Sequence, residues 1–297
     1  MTRRTASLWI GTNGLALITL GALHAFWPPL PPPAVEQVSR AMVGSLVGQV
    51  EVRRQGGQAW AAARLGDLLE EGDEVRTGLF SEASLHLKDA AAVTIDPNTS
   101  FVVGREQDRA SAFELAEGRI TAALAREGQR EFMFYARGSD AVASAERGQF
   151  SVASDGRGTV VVDTREGEVK LAAKGGEVQV GKGRRSTVLP DRPPAPALPI
   201  PPSVALQVRW PALKTDKTSA RLSGQTTVGG VVTINGILVR ADAEGNFQVD
   251  VPLREGQNRL VVHATDPSGN SALRESPPIL VDTRPPALDV DAKGLWK

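Results

Sequence analysis

The chain has 297 residues, and its 34 basic and 34 acidic side chains cancel to a formal net charge of zero, which excludes the basic footprint that nucleic-acid binding requires. It contains no cysteine, which excludes disulfides, thiolate nucleophiles, Cys-ligated metals and a lipid-modified cysteine anchor. Aromatic residues make up 5% against 30 glycines and 20 prolines, a balance that favours many short strands joined by tight turns.

Residues 8–27 form a mostly apolar run of membrane-spanning length, led by Arg3 and Arg4 and followed by prolines. Lys and Arg resist translocation, so residues 1–7 are expected in the cytoplasm and the bulk of the chain on the far side of one transmembrane helix. Trp9 and Trp27, one near each end, suit interfacial anchoring. Gly11, Asn13, Gly14, Gly21 and His24 interrupt the run, which makes a cleaved signal peptide the rival reading. Leu23 or Leu20 fills the upstream position where an A-x-A-like processing site wants a small residue, so an uncleaved anchor is expected.

Two proline-rich stretches then divide the sequence. The first, within a spacer of residues 28–40, would hold the remainder off the membrane. The second, at 190–203, reads as a semi-rigid polyproline spacer between a domain of residues 41–189 and another of 204–284, with a tail at 285–297. Alternating apolar and polar residues at 50–53, 84–88, 167–171 and 177–180, punctuated by Gly or Asp pairs, predict half-buried strands of an all-β domain. Residues 61–69 and 110–126 have helix-like composition, but Gly66 and Gly118 argue against long helices. In the second domain residues 220–224, 231–236, 246–251 and 259–264 read as strands. Asn235-Gly236 and Glu244-Gly245-Asn246 supply hairpin turns.

The ordered series Gly48-Gln49-Val50-Glu51-Val52, Trp60, Gly66-Asp67, Gly72-Asp73, Thr77, Ser84 to Asp89, Phe113 to Gly118, Gly148, Phe150 and Gly167-Glu168-Val169 closely resembles the FecR (ferric-citrate regulator) periplasmic domain. Two departures stand out: Ala90 where the family has Gly, and Gln149 where it has Thr. The Leu222-Ser223-Gly224, Val232 to Gly236, Asp242 to Phe247, Leu253 to Asn258 and Ala264 to Asn270 segments look like a glucodextranase-type bacterial Ig-like module. These resemblances imply a jelly-roll-like β domain followed by an Ig-like β-sandwich, in an inner-membrane protein with its bulk in the periplasm. They also imply sensing or relay through protein contacts. Regulatory members of the family carry a cytoplasmic sigma-factor-binding region; residues 1–7 are too short for that role.

A search for chemistry yields little. Residues 176–183 nearly spell a phosphate-binding loop, but Gly183 stands where a hydroxyl must hold magnesium and 177–180 alternate like a strand. The acidic cluster of Asp67, Glu70, Glu71, Asp73 and Glu74 lacks calcium-loop spacing and reads as a solvated turn. His86 is expected on a solvated strand face, and neither H-E-x-x-H nor G-x-S-x-G occurs. Trp60 and Trp210 are the candidate sugar-stacking platforms; the competing readings are a core position for Trp60 and packing against the linker for Trp210. No catalytic, metal or cofactor residue is assigned. The leading expectation is a non-enzymatic, membrane-anchored envelope protein that contacts envelope proteins or cell-wall glycan. A glycan-binding adaptor and a sigma-factor signalling component working through a separate cytoplasmic partner are the alternatives.

Overall fold

Two long strands, Ala110–Leu124 and Val160–Ala173, organise the first half of the molecule. In this computed structural model, which describes residues 41–107, 109–125 and 130–284, each of the two belongs to both layers of a 16-stranded sheet system. Residues 110–117 pair with Ser100–Gln107 and, in parallel, with Glu131–Ala136. Residues 118–124 then pair with Ala92–Ile95 and Gly148–Ser154 in the other layer. The second long strand does the same: its first half pairs with Gly148–Ser154 and Arg184–Val188, and its second half with Val142–Ala145 and Gly176–Gly181. Strands that change sheet in this way form the corners of a folded-over β architecture.

Glycine sits at each corner for a steric reason. Gly118 has φ +101°, and a Cβ there would lie 2.3 Å from Thr99 Oγ1 and 2.5 Å from Thr99 Cα. At the other corner Gly148 and Gly167 are register partners with φ of +114° and +80°; a Cβ on Gly148 would lie 2.3 Å from the Glu166 carbonyl oxygen. Of residues 110–126, whose composition suits a helix, Ala110–Leu124 therefore form a strand. Apolar residues 113, 115, 120, 122 and 124 alternate into the core, and tertiary burial overrides local propensity.

The two layers enclose one hydrophobic core drawn from residues 41–188. Phe101, Phe113, Phe134 and Phe150 run through it in successive ring contacts 5.6 to 5.7 Å apart, the last edge-on. A second core, built around Leu222, Val232, Ile234, Phe247, Val251 and Val262, lies within residues 204–281. Three small sheets surround it, one of four strands and two of three. The Asn235-Gly236 hairpin forms as expected, with φ of +48° and +84° and Ile234 opposite Ile237. The described residues are all-β, and no helix long and apolar enough to cross a membrane is among them. The expected membrane anchor, with Arg3, Arg4, Trp9 and Trp27, lies outside the described residues, as do residues 28–40 and 285–297.

The proline-rich stretch at 190–202 behaves differently from a free-standing spacer. Leu198–Pro199 pairs with Arg184–Val188, Ala195 N donates to Thr187 O at 2.9 Å, and Ile200 N donates to Gly183 O at 3.0 Å. Prolines lack the N–H that a further strand would need, so the segment serves as a sheet edge. Both cores fall within one compact unit.

Candidate functional site: the latch and cleft between the cores

Asp163 interrupts the apolar run Val160-Val161-Val162, and Arg185 stands opposite it on the neighbouring strand. The Arg185 guanidinium grips both Asp163 carboxylate oxygens at 2.6 Å. Both residues are buried, Asp163 at 1% exposure, which is costly for charges unless every polar atom finds a partner. The partners come from the second core. Arg185 Nη2 donates to Ser268 Oγ at 3.1 Å and reaches Asp266 Oδ2 at 3.5 Å, and Ser268 Oγ donates to Asp163 Oδ2. Burial by itself lowers the Arg185 pKa, but the hydrogen bonds it donates to Asp163 and the charges of Asp163 and Asp266 outweigh it and raise the value.

The segment that reaches across, Asp266-Pro267-Ser268-Gly269-Asn270, connects Val261–Thr265 to Ser271–Glu275. Its shape is set internally: Asp266 Oδ1 accepts the Ser268 and Asn270 backbone N–H groups, both at 2.9 Å. Its outward carbonyls are taken by the first core. Ser151 Oγ donates to Pro267 O at 2.8 Å, Arg165 Nη2 to Ser268 O at 2.6 Å, and Arg119 Nη1 to Asp266 O at 3.1 Å. Arg119 is itself held by a bidentate pair with Asp96 at 2.8 and 2.9 Å. Arg240 makes the reciprocal contact from the second core, to Asn98 O at 3.1 Å and Glu117 at 3.3 Å. A net of charged and polar groups thus latches the two cores together. Beside it lies a cleft of about 270 Å³, bounded by Leu79, Phe80 and Pro97 on one side and Val231, Thr233 and His263 on the other.

Of the residues singled out by the family motifs, Gly118 lines this cleft and the others are not gathered there. Gly48, Gly66 and Gly72 occupy left-handed turns with φ of +73°, +83° and +84°. Asp67 Oδ2 accepts the Arg64 N–H at 2.8 Å, and Thr77 Oγ1 accepts the Thr99 N–H at 3.0 Å. Phe150 is fully buried, and Gly118, Gly148 and Gly167 are the corner glycines. The acidic cluster departs from the expected solvated turn: Asp73 and Glu74 are buried. Asp73 accepts from Arg54 at 2.6 Å and from the Gln55 and Glu70 backbone at 3.0 Å, while Glu74 pairs with Arg53 and Ser100. Among the described residues no group of three or more His, Asp or Glu side chains is placed to hold a metal. Residues 176–183 form a hairpin edge, and His86 is exposed on its strand.

Trp60 is half-buried and outside the core. The Arg53 and Arg76 guanidiniums lie 4.8 and 4.0 Å from its ring, above the cross-strand pairs Arg53–Glu74 and Arg76–Glu51. Trp210 packs, partly buried, against the second core. Both rings are engaged in protein contacts, on different cores.

The latch itself escaped the sequence reading, although a signal existed. An Asp directly after the apolar run Val160 to Val162 must be paired if it is buried, and residues 264–270 were legible as part of the Ig-like motif set without their docking role.

Residues 73–170 match the model of the FecR protein family. No curated protein matches the chain. Among solved structures, the chain is similar to a protein titled a "putative anti-sigma factor" from Parabacteroides distasonis ATCC 8503, solved at 2.50 and 1.65 Å, with 16% identity and a TM-score of 0.38. That match covers 42% of this chain and spans 59% of the other. It is also similar to a polysaccharide lyase at 10% identity and a TM-score of 0.21, over 85% of this chain and 41% of that one. The FecR family match thus lies within the first core and does not extend to the second.

Proposed function

We propose that this protein is a non-enzymatic signalling component of a sigma-factor system at the cell envelope, acting through protein contacts made by its paired β cores. The observation that carries the reading is the FecR family match over residues 73–170. In this reading residues 8–27 anchor the chain in the inner membrane and the β cores stand in the periplasm. The first core is a jelly-roll-like FecR domain and the second an Ig-like spacer. The latch supports the reading physically: a signal received on one core is transmitted to the other only if the two move together, and buried, fully paired ions are strongly geometry-dependent.

Deleting the gene and measuring all transcripts tests it. The proposal expects a discrete set of genes sharing one sigma-factor promoter type to change, and to return when the intact chain is restored. An unchanged transcript profile under envelope stress and nutrient limitation would count against it. That outcome favours an extracytoplasmic binding platform without transcriptional output.

A further inference from the structure

The cleft beside the latch has a floor that the latch does not use. Val231, Thr233, His263 and Thr265 are cross-strand neighbours, with Val231 opposite Thr265 and Thr233 opposite His263. Their alternates Val232, Ile234, Val262 and Ala264 are buried in the second core. These four side chains therefore lie at the centre of the outer face of the sheet, half-buried. Among the described residues, the Thr233 and Thr265 hydroxyls and the His263 imidazole make no side-chain hydrogen bond.

The opposite wall is unusual in a second way. Phe80, in the turn before Glu82–Leu87, has φ +57° and is 70% exposed. A bulky side chain in the left-handed region costs about 1–2 kcal/mol, and an exposed ring forgoes the further gain of burial. Both are retained at the mouth of the cleft, and strain of this kind clusters at ligand clamps.

Charge decides the class of ligand. Arg119 is committed to Asp96, Arg240 to Glu117 and Asp266 to Arg185. The Asp155 and Asp242 carboxylates accept backbone N–H groups of their own turns. A charged ligand would have to displace one of these partners and leave a charge unpaired, or settle for the exposed Glu82, where an ion pair is worth little; an uncharged one leaves these pairs intact and meets apolar surface and unused hydrogen-bonding groups. Glu82 at the exposed rim further disfavours anions. We propose that this cleft is a binding site for an uncharged, largely apolar small molecule carrying hydroxyl or carbonyl groups. Its body stacks on Phe80, and its polar groups bond to Thr233, Thr265 and His263. The volume of about 270 Å³ lies near the lower end of small-molecule sites. This inference stands on the cleft and is independent of the sigma-factor reading.

The absence of cysteine in the chain gives a direct test. Thr233→Cys in the full chain is reacted with N-phenylmaleimide, with a sulfonated maleimide and with a quaternary-ammonium maleimide; Leu213→Cys, exposed and outside the cleft, is the reference. The proposal expects saturation of the rate with N-phenylmaleimide at position 233 and linear dependence for both charged reagents. The neutral-to-charged rate ratio should be at least tenfold higher there than at position 213, and Phe80→Ala should abolish the saturation. Thr265→Cys provides a second reporter should the first variant fold poorly. Linear kinetics with the same ratio at positions 233, 265 and 213 would overturn it, and preference for either charged reagent would overturn the ligand class.

Discussion

Arg185 and Asp163 face each other across adjacent strands of the first core, joined by two hydrogen bonds of 2.6 Å, and the same guanidinium extends to Ser268 and Asp266 of the second. Removing one partner leaves an uncompensated buried charge, which costs about 3–5 kcal/mol. Asp163→Asn and Arg185→Met should therefore each lower stability by about 3 kcal/mol in urea unfolding. The double variant Asp163→Leu/Arg185→Met should cost clearly less than the sum, because neither charge is then stranded.

Gly118 is predicted to be the least replaceable corner residue. Alanine there must hold φ near +101° while its Cβ meets Thr99 backbone and side chain inside 2.7 Å. Left-handed strain and overpacking each contribute about 1–3 kcal/mol, so Gly118→Ala should cost about 3 kcal/mol or fail to fold. Gly66→Ala has nothing within 4 Å of the added Cβ and pays only the strain at φ +83°. Comparing the two denaturation midpoints separates contact from conformation.

Ala90 departs from the family pattern, and the structure shows the consequence. Asp89 and Ala90 have φ of +57° and +54°, the geometry of a type I′ hairpin turn, which glycine adopts without strain. Ala90→Gly relieves about 1 kcal/mol of left-handed strain and loses part of that to a freer unfolded chain. The expected net effect is stabilisation by about 0.5 kcal/mol, read as a higher melting temperature, whereas Ala90→Val should destabilise.

Acid stability should depend on Glu74. Burial raises its pKa, but hydrogen bonds from Ser100 and Arg53 and the Arg53 charge bring it below the ordinary glutamate value. A lowered folded value means the contribution is fully present above the unfolded pKa, about 4.3. It is lost as pH falls through the folded one. Glu74→Gln should therefore show a smaller fall in urea midpoint between pH 6 and pH 3 than the unaltered chain.

Much of the architecture was legible from alternation and turn residues. Residues 50–53 and 177–180 form strands where the period of two places them, and Asn235-Gly236 turns the hairpin its dihedral tolerance predicts. The long strand at 110–124 was obscured because Ala, Glu and Leu favour helix locally, and only its burial against two layers reveals the strand. The latch was hidden for a different reason: Arg185 and Asp266 are 81 residues apart, and their meeting depends on how two cores dock. Trp60 illustrates the same limit. Its ring is placed by Arg53 and Arg76, which come together only when their strands pair.

The latch is expected to hold the two β cores as one rigid unit. Spin labels on Leu65→Cys and Leu213→Cys, both exposed and one on each side of the latch, measure it directly by pulsed electron paramagnetic resonance of the cysteine-free background. A single narrow distance distribution is expected, broadening when Ser151→Ala and Arg165→Met remove the first core's hold on the Pro267 and Ser268 carbonyls. A broad distribution in the chain with its latch intact would contradict it.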